Sequence, residues 1–325
     1  MYVLKKFSFS ILLYLSLIIG YFYNENLNFG AYQDWLNANI NPLIDFSNNF
    51  IDTFLNYEKY GHRHSPVYLI FLSLILKTGI DIEYLRLLHL HFCLILVLLF
   101  YKCLRIKFSN IDSKLLLLLS LTIFLSPTFR SLSIWPESRI PGLIFFTLSI
   151  FYFLKFDKNH ELKFAWHSTI SLIVSAYISP NFSLFYIFFI YYFFKRLNFK
   201  SFSLIVLFSF AASAPMIYYI YFLDINFITA GRTPGLEGVA TSLNFNISNK
   251  VLIISSIIFF HLIPILYFLI DYKKMILFCK KNLVFILISF LILAYFFNYK
   301  LSFTGGGVFF QLSQILLNNN LFFFI

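Results

Sequence analysis

Nine stretches of this sequence run for fifteen residues or more without an Asp, Glu, Lys or Arg: 7–24, 87–101, 115–129, 140–154, 164–194, 201–223, 251–270, 282–299 and 301–325. A bilayer core takes roughly 17–25 apolar residues in a helix. Water-soluble domains carry about 25% charged residues, whereas this 325-residue chain has 12%, with 60% hydrophobic residues and 46 Phe. Disorder, collagen, coiled coil and a soluble enzyme are excluded on that composition. The expected class is an all-α polytopic membrane protein.

Two stretches have awkward lengths. The apolar run 64–76 reaches only about 20 Å as a helix, and 164–194 would reach about 46 Å. Pro180, at the midpoint of the longer one, is a natural break. Charge resolves both cases through the excess of Lys and Arg on the cytoplasmic side. With Lys5-Lys6 inside, 64–76 not crossing and 164–194 crossing twice, sixteen of the 25 basic residues and four acids lie inside, against nine basic and ten acidic residues outside. The net charge is then +12 inside and −1 outside, which accounts for the total of +11 without nucleic acid. The layout is a single integral-membrane domain, 1–325, with about nine to ten transmembrane helices, the tenth after Gly305-Gly306-Gly307. The N-terminus is cytoplasmic, and residues 7–23 read as an uncleaved anchor. Cys93, Cys103 and Cys279 form no C-x-x-C pair, so neither a disulfide framework nor a zinc site is indicated.

The outer segments are 24–84, 126–139 and 224–250, with a turn at Pro180-Asn181. Long loops usually have a function, and the first is long. Within it Leu43, Phe46, Phe50 and Phe54 recur at helical spacing opposite Asp45, Asn48, Asn49 and Asp52, the pattern of a helix in the interface plane. A second interfacial helix is expected at 66–78. Of seven arginines, five lie outside or at outer span ends: Arg63, Arg86, Arg130, Arg139 and Arg232. Arginine suits bidentate binding of phosphate or carboxylate, and snorkelling at lipid headgroups is the plainer reading of any one of them. Each long outer segment also carries carboxylates, among them Asp34, Glu137 and Glu237, suited to act as a base or to hold a cation. No G-x-x-x-x-G-K-[ST] occurs, so ATP-driven transport is not indicated. His62 and His64 lack a third metal ligand in sequence. His89, His91, His167 and His261, in or near spans, are expected to bond between helices.

The order of these features resembles the GT-C integral-membrane glycosyltransferases, particularly the protein O-mannosyltransferase-like and aminoarabinose transferase-like branch (glycosyltransferase family 39 type). The residues that carry the resemblance are Tyr32-Gln33-Asp34-Trp35, His64-Ser65-Pro66-Val67-Tyr68-Leu69, Leu85-Arg86-Leu87-Leu88 and the Ser126-Pro127 loop leading to Glu137. They cover about residues 1–200. The resemblance implies Asp34 as the catalytic acid/base, Glu137 as the second catalytic carboxylate, and Arg130, Arg139 and Arg232 as donor-phosphate ligands. Many members have an Asp-Glu pair where this chain has Asp34-Trp35, which keeps Asp45 and Asp52 as rivals. Arg63, His64 and Glu237 are secondary candidates.

The implied reaction moves a sugar from a polyprenyl-phosphate-linked donor to a lipid, glycan or protein acceptor on the outer face of a bacterial inner (plasma) membrane. The branch that uses monophosphate donors often needs no metal, and the diphosphate branch holds Mg or Mn on carboxylates; the residues leave both open. Two other classes fit the composition. A lipid-linked glycan polymerase or ligase would favour a long mid-chain outer loop. A flippase or transporter would place ionisable groups mid-span and show inverted repeats.

Overall fold

The computed structural model describes residues 2–26, 29–60, 65–222, 255 and 271–296. Among these residues the chain is all-helical, with no strand. Helices α1 (Tyr2–Phe22), α2 (Phe29–Asp34), α3 (Ile40–Asn48), α4 (Phe50–Leu55), α5 (Val67–Leu76) and α6 (Ile82–Lys107) come first. They are followed by α7 (Ser113–Leu121), α8 (Pro127–Ile134), α9 (Arg139–Asn159), α10 (Leu162–Ile178), α11 (Tyr186–Arg196) and α12 (Phe199–Tyr221). The chain divides into two units, Met1–Glu237 and Gly238–Ile325, and the second contains α13 (Tyr272–Lys281) and α14 (Leu283–Phe296).

Several helix starts follow from short polar side chains. Asp81, Asp112, Ser126, Asn198 and Asp271 each accept a backbone N–H of the first turn that follows, satisfying a donor that the helix leaves open. Helices α6, α9 and α12 are long and apolar enough to cross a membrane, and the described residues contain up to five such spans if each of two bent helix pairs is one span. The charge-free stretch 87–101 lies inside the 26 residues of α6. At about 1.5 Å per residue this helix outruns a roughly 30 Å core, so charged residues fall on its ends.

Two expectations change on folding and a third holds. The stretch 115–129 is not one straight helix. It passes through a 3-10 turn (Thr122–Leu125) and bends by 67° at Ser126, whose extended backbone lets it cap α8, while Pro127 supplies the first residue. The 43–54 pattern is two helices, broken at Asn49 (φ −141°, ψ 83°). Leu43 and Phe46 are buried, in one core with Tyr57, Tyr68, Leu69 and Leu72, so the α3 part of this face packs on α5, while Phe50 and Ile51 on α4 are exposed. The long run 164–194 does break at Ser179-Pro180, with a 3-10 turn (Pro180–Phe185) between α10 and α11. Spans expected at 251–270 and 301–325 lie outside the described residues.

Helices α9 and α10 form a close hairpin lined with small polar residues. Ser168 Oγ donates to the Ser149 carbonyl (2.9 Å) and Ser175 Oγ to the Gly142 carbonyl (2.7 Å), which lets backbones approach as small residues do between membrane helices. A Cβ on Gly142 would meet Ser179 Cβ at 2.7 Å and Phe182 Cε2 at 3.0 Å. Gly142→Ala is therefore expected to destabilise the fold by about 1–3 kcal/mol, the range for overpacking a core. Thermal unfolding in detergent would show it, and an unchanged midpoint would mean the hairpin tolerates that displacement.

Candidate functional site

The ends of α1 and α8 and the starts of α6 and α9 come together with the α2 segment, and two charge networks occupy the junction. The first holds helices together. Arg130, on α8, donates from Nε to Glu25 Oε1 (2.5 Å), from Nη1 to Ser16 Oγ (3.1 Å) and from Nη2 to the Ser16 carbonyl (3.0 Å) and to Glu25 Oε2. Both charged side chains are mostly buried, 12% and 17% exposed. Arg86, on the first turn of α6, is buried; Nη1 donates to both Glu83 oxygens (3.0 and 2.7 Å) and Nη2 to Asn24 Oδ1 (3.0 Å). Its guanidinium lies 3.8 Å over the Trp135 ring, a stacking geometry that arginine favours. Trp135 Nε1 in turn donates to the Glu25 carbonyl (3.0 Å). Arg130 thus acts as a clamp between α1 and α8, and its donors are committed to protein acceptors.

The second network joins three residues expected at a site. Arg139 opens α9 with its side chain 45% exposed. Its Nε is 2.9 Å from Glu137 Oε1 and its Nη2 is 3.4 Å from Asp34 Oδ2. One guanidinium therefore bridges two carboxylates of very different exposure, Asp34 at 39% and Glu137 at 1%. Asp34 closes α2, where a π-helical turn (Trp35–Asn39) follows. At the end of that turn Asn39 Nδ2 donates to the Pro136 carbonyl (3.1 Å), tying the segment to the Glu137 loop. Tyr32 packs on Trp135 at 4.7 Å between ring centroids. Burial, reinforced by the Asp34 charge and opposed by Arg139, pushes the Glu137 carboxyl up to about 7.

Chemically this is a half-exposed carboxylate and a buried one whose protonation is pushed up, beside a half-exposed cation that suits an anion. It also sets a pH dependence of stability. The folded carboxyl sits above its ordinary 4.5, so its contribution is present in full below pH 4.5 and is lost as pH rises through about 7. Ionising it in the fold costs about 3 kcal/mol at pH well above 7. Glu137→Gln is expected to raise the unfolding temperature relative to the parent protein at pH 8 and not at pH 4; equal differences at both pH values would count against a buried, titrating Glu137.

The other candidates fall elsewhere. Asp45 accepts from Tyr60 Oη. Asp52 accepts from Asn56 Nδ2 (2.9 Å) and lies 3.9 Å from Lys59 Nζ; neither belongs to the Arg139 cluster. Arg63, His64, Arg232 and Glu237 lie outside the described residues. No group of three or more His, Cys, Asp or Glu side chains suited to a metal ion occurs among the described residues. The two carboxylates that would hold Mg or Mn are bridged by a guanidinium instead, so no step below runs through a metal.

His89 bonds between helices as expected. Its Nε2 donates to the Leu132 carbonyl (2.8 Å), which leaves Nδ1 to accept from Tyr68 Oη (2.5 Å). Glu25, Asn24 and Glu83 were not expected at the junction. The i, i+3 spacing of Glu83 and Arg86 is a local signal for that pair, but nothing local marks Glu25. Comparison with protein-family models, with curated proteins and with solved structures gives no match.

Proposed function

We propose that the chain is a polytopic membrane glycosyltransferase, with about nine to ten spans, that moves a sugar from a polyprenyl-phosphate-linked donor to a lipid, glycan or protein acceptor on the outer face of the membrane. The observation that supports it most is the Asp34–Arg139–Glu137 triad. A candidate carboxylate, Asp34, meets a second one, Glu137, and a candidate phosphate ligand, Arg139, both more than 100 residues further along the chain, at one end of the helices. In this reading Asp34, the more exposed carboxylate, takes the proton of the acceptor hydroxyl as its oxygen attacks the anomeric carbon. The bond from that carbon to the donor phosphate oxygen breaks, and the open side of Arg139 stabilises the charge that develops on the phosphate. Of the expected phosphate ligands, Arg139 keeps the role and Arg130 leaves it, because Arg130 is engaged by Glu25 and Ser16. An apolar cavity of about 450 Å³ lies between α10, the Pro180 turn, α11 and α12, lined by Leu172, Tyr177, Tyr186, Phe210 and Met216. It is large enough for the first isoprene units of a donor.

Glu137 and the donor phosphate compete for Arg139 in this scheme. Below about pH 7 Glu137 is protonated and the guanidinium is freer; above it the carboxylate holds Arg139 and repels phosphate. KM for the donor is therefore expected to rise as pH increases through 7, and Glu137→Gln to flatten that rise. A parent KM constant from pH 6 to 8 would count against the competition.

The reaction class is tested by the masses of surface glycan and lipid-linked intermediates in a deletion strain and in the same strain complemented. Glycan lighter by one sugar unit supports transfer. Short chains without repeats would make the protein a polymerase or ligase, and intact lipid-linked intermediates retained on the inner face would make it a flippase.

A further inference from the structure

The second unit contains a feature that the transferase reading does not use. Helix α13, Tyr272–Lys281, carries Lys273, Lys274, Lys280 and Lys281 and no acidic residue. At about 100° per residue the four lysines gather on one side, with Leu277 among them. Tyr272, Met275, Ile276, Phe278 and Cys279 fall on the other. Every residue of α13 is exposed. At Asn282 the chain turns by 74° into α14, whose described residues, Leu283–Phe296, carry no charge. Lys274 Nζ lies 3.4 Å from Oδ2 of Asp271, the residue that caps α13.

Four lysines in ten residues do not suit the hydrocarbon core, so α13 and α14 do not form one bent span. With α14 crossing, a 74° turn lays α13 nearly flat at the membrane surface. We infer that α13 is an interfacial anchor, its Tyr272–Met275–Ile276–Cys279 side immersed in the leaflet and its lysines bound to anionic phospholipid headgroups of that leaflet. Charge complementarity selects this occupant. A basic amphipathic helix holds an anionic surface through each lysine, at about a fivefold preference per residue, and a zwitterionic surface offers no such term.

Cys279 provides the probe, since it is exposed and on the apolar side, whereas Cys93 and Cys103 are buried. The full-length protein carrying Cys93→Ser and Cys103→Ser, labelled at Cys279 with an environment-sensitive fluorophore, would be placed in nanodiscs of phosphatidylcholine with or without phosphatidylglycerol. The expected result is strong quenching by acyl-chain-labelled lipid and weak quenching by aqueous iodide. Anionic headgroup-labelled lipid should be enriched around the protein in mixed bilayers. That enrichment should fall at least fivefold in 0.5 M salt or in Lys280→Gln/Lys281→Gln. A Cys279 label open to iodide in both bilayers, or an enrichment unchanged by salt and by the lysine variants, would overturn the inference. Neither readout depends on sugar transfer, so its failure and that of the transferase reading are distinguishable.

Discussion

Asp34→Asn is expected to lower sugar transfer by about 10²–10⁴-fold, the usual contribution of a positioned general base, while leaving the fold in place. Asp34 is 39% exposed and meets Arg139 at 3.4 Å, the length of a weak, solvent-shared pair, and exposed pairs of that kind contribute roughly 0–1 kcal/mol to stability. The variant should therefore express and unfold as the parent does. A loss of kcat with little change in donor KM would place Asp34 at proton transfer. A rise in KM alone would mean that it acts through Arg139, as an aligner of the phosphate ligand. Full activity would remove Asp34 from the chemistry and return attention to Asp45 and Asp52.

Arg130→Ala should act in the opposite manner, on stability before activity. It would strand the Glu25 carboxylate, 17% exposed, against α8 without its partner. Breaking a buried pair from one side costs about 3–5 kcal/mol, which is a large share of a typical folding free energy of about 5–15 kcal/mol. Pairing Arg130→Met with Glu25→Leu should recover most of the loss, because it removes both desolvated charges together. Unfolding midpoints of the two single variants and the double variant in detergent measure the coupling. If Arg130→Ala unfolds like the parent but raises donor KM, the clamp reading is wrong and Arg130 belongs with the phosphate.

How much of this was legible in the chain differs from residue to residue. The break at Pro180 followed from a missing N–H in an over-long apolar run. Asn49 gave no comparable warning. The apolar spacing of Leu43, Phe46, Phe50 and Phe54 runs straight through it, yet the helix breaks there, Asn49 caps α4, and Leu43 and Phe46 are buried in the same core as the α5 residues Tyr68, Leu69 and Leu72. Packing overrode the local pattern.

The same division holds at the junction. Asp34, Glu137, Arg130 and Arg139 were legible as candidates from charge, position and resemblance alone, because charged residues are rare in so apolar a chain. What each one does was not. Arg130 and Arg139 are alike in sequence, each an arginine near the start of a helix on the same outer segment. Arg130 is held by Glu25 and Ser16, 105 and 114 residues away, and Arg139 lies half-exposed between Asp34 and Glu137. By itself the sequence determined a helical class and which stretches are apolar enough for a membrane, since period and charge act over a few residues. Only the tertiary structure decided which arginine is a clamp and which faces solvent, and that Glu137 is buried enough to titrate near neutrality, because desolvation and ion pairing depend on side chains brought together from distant parts of the chain.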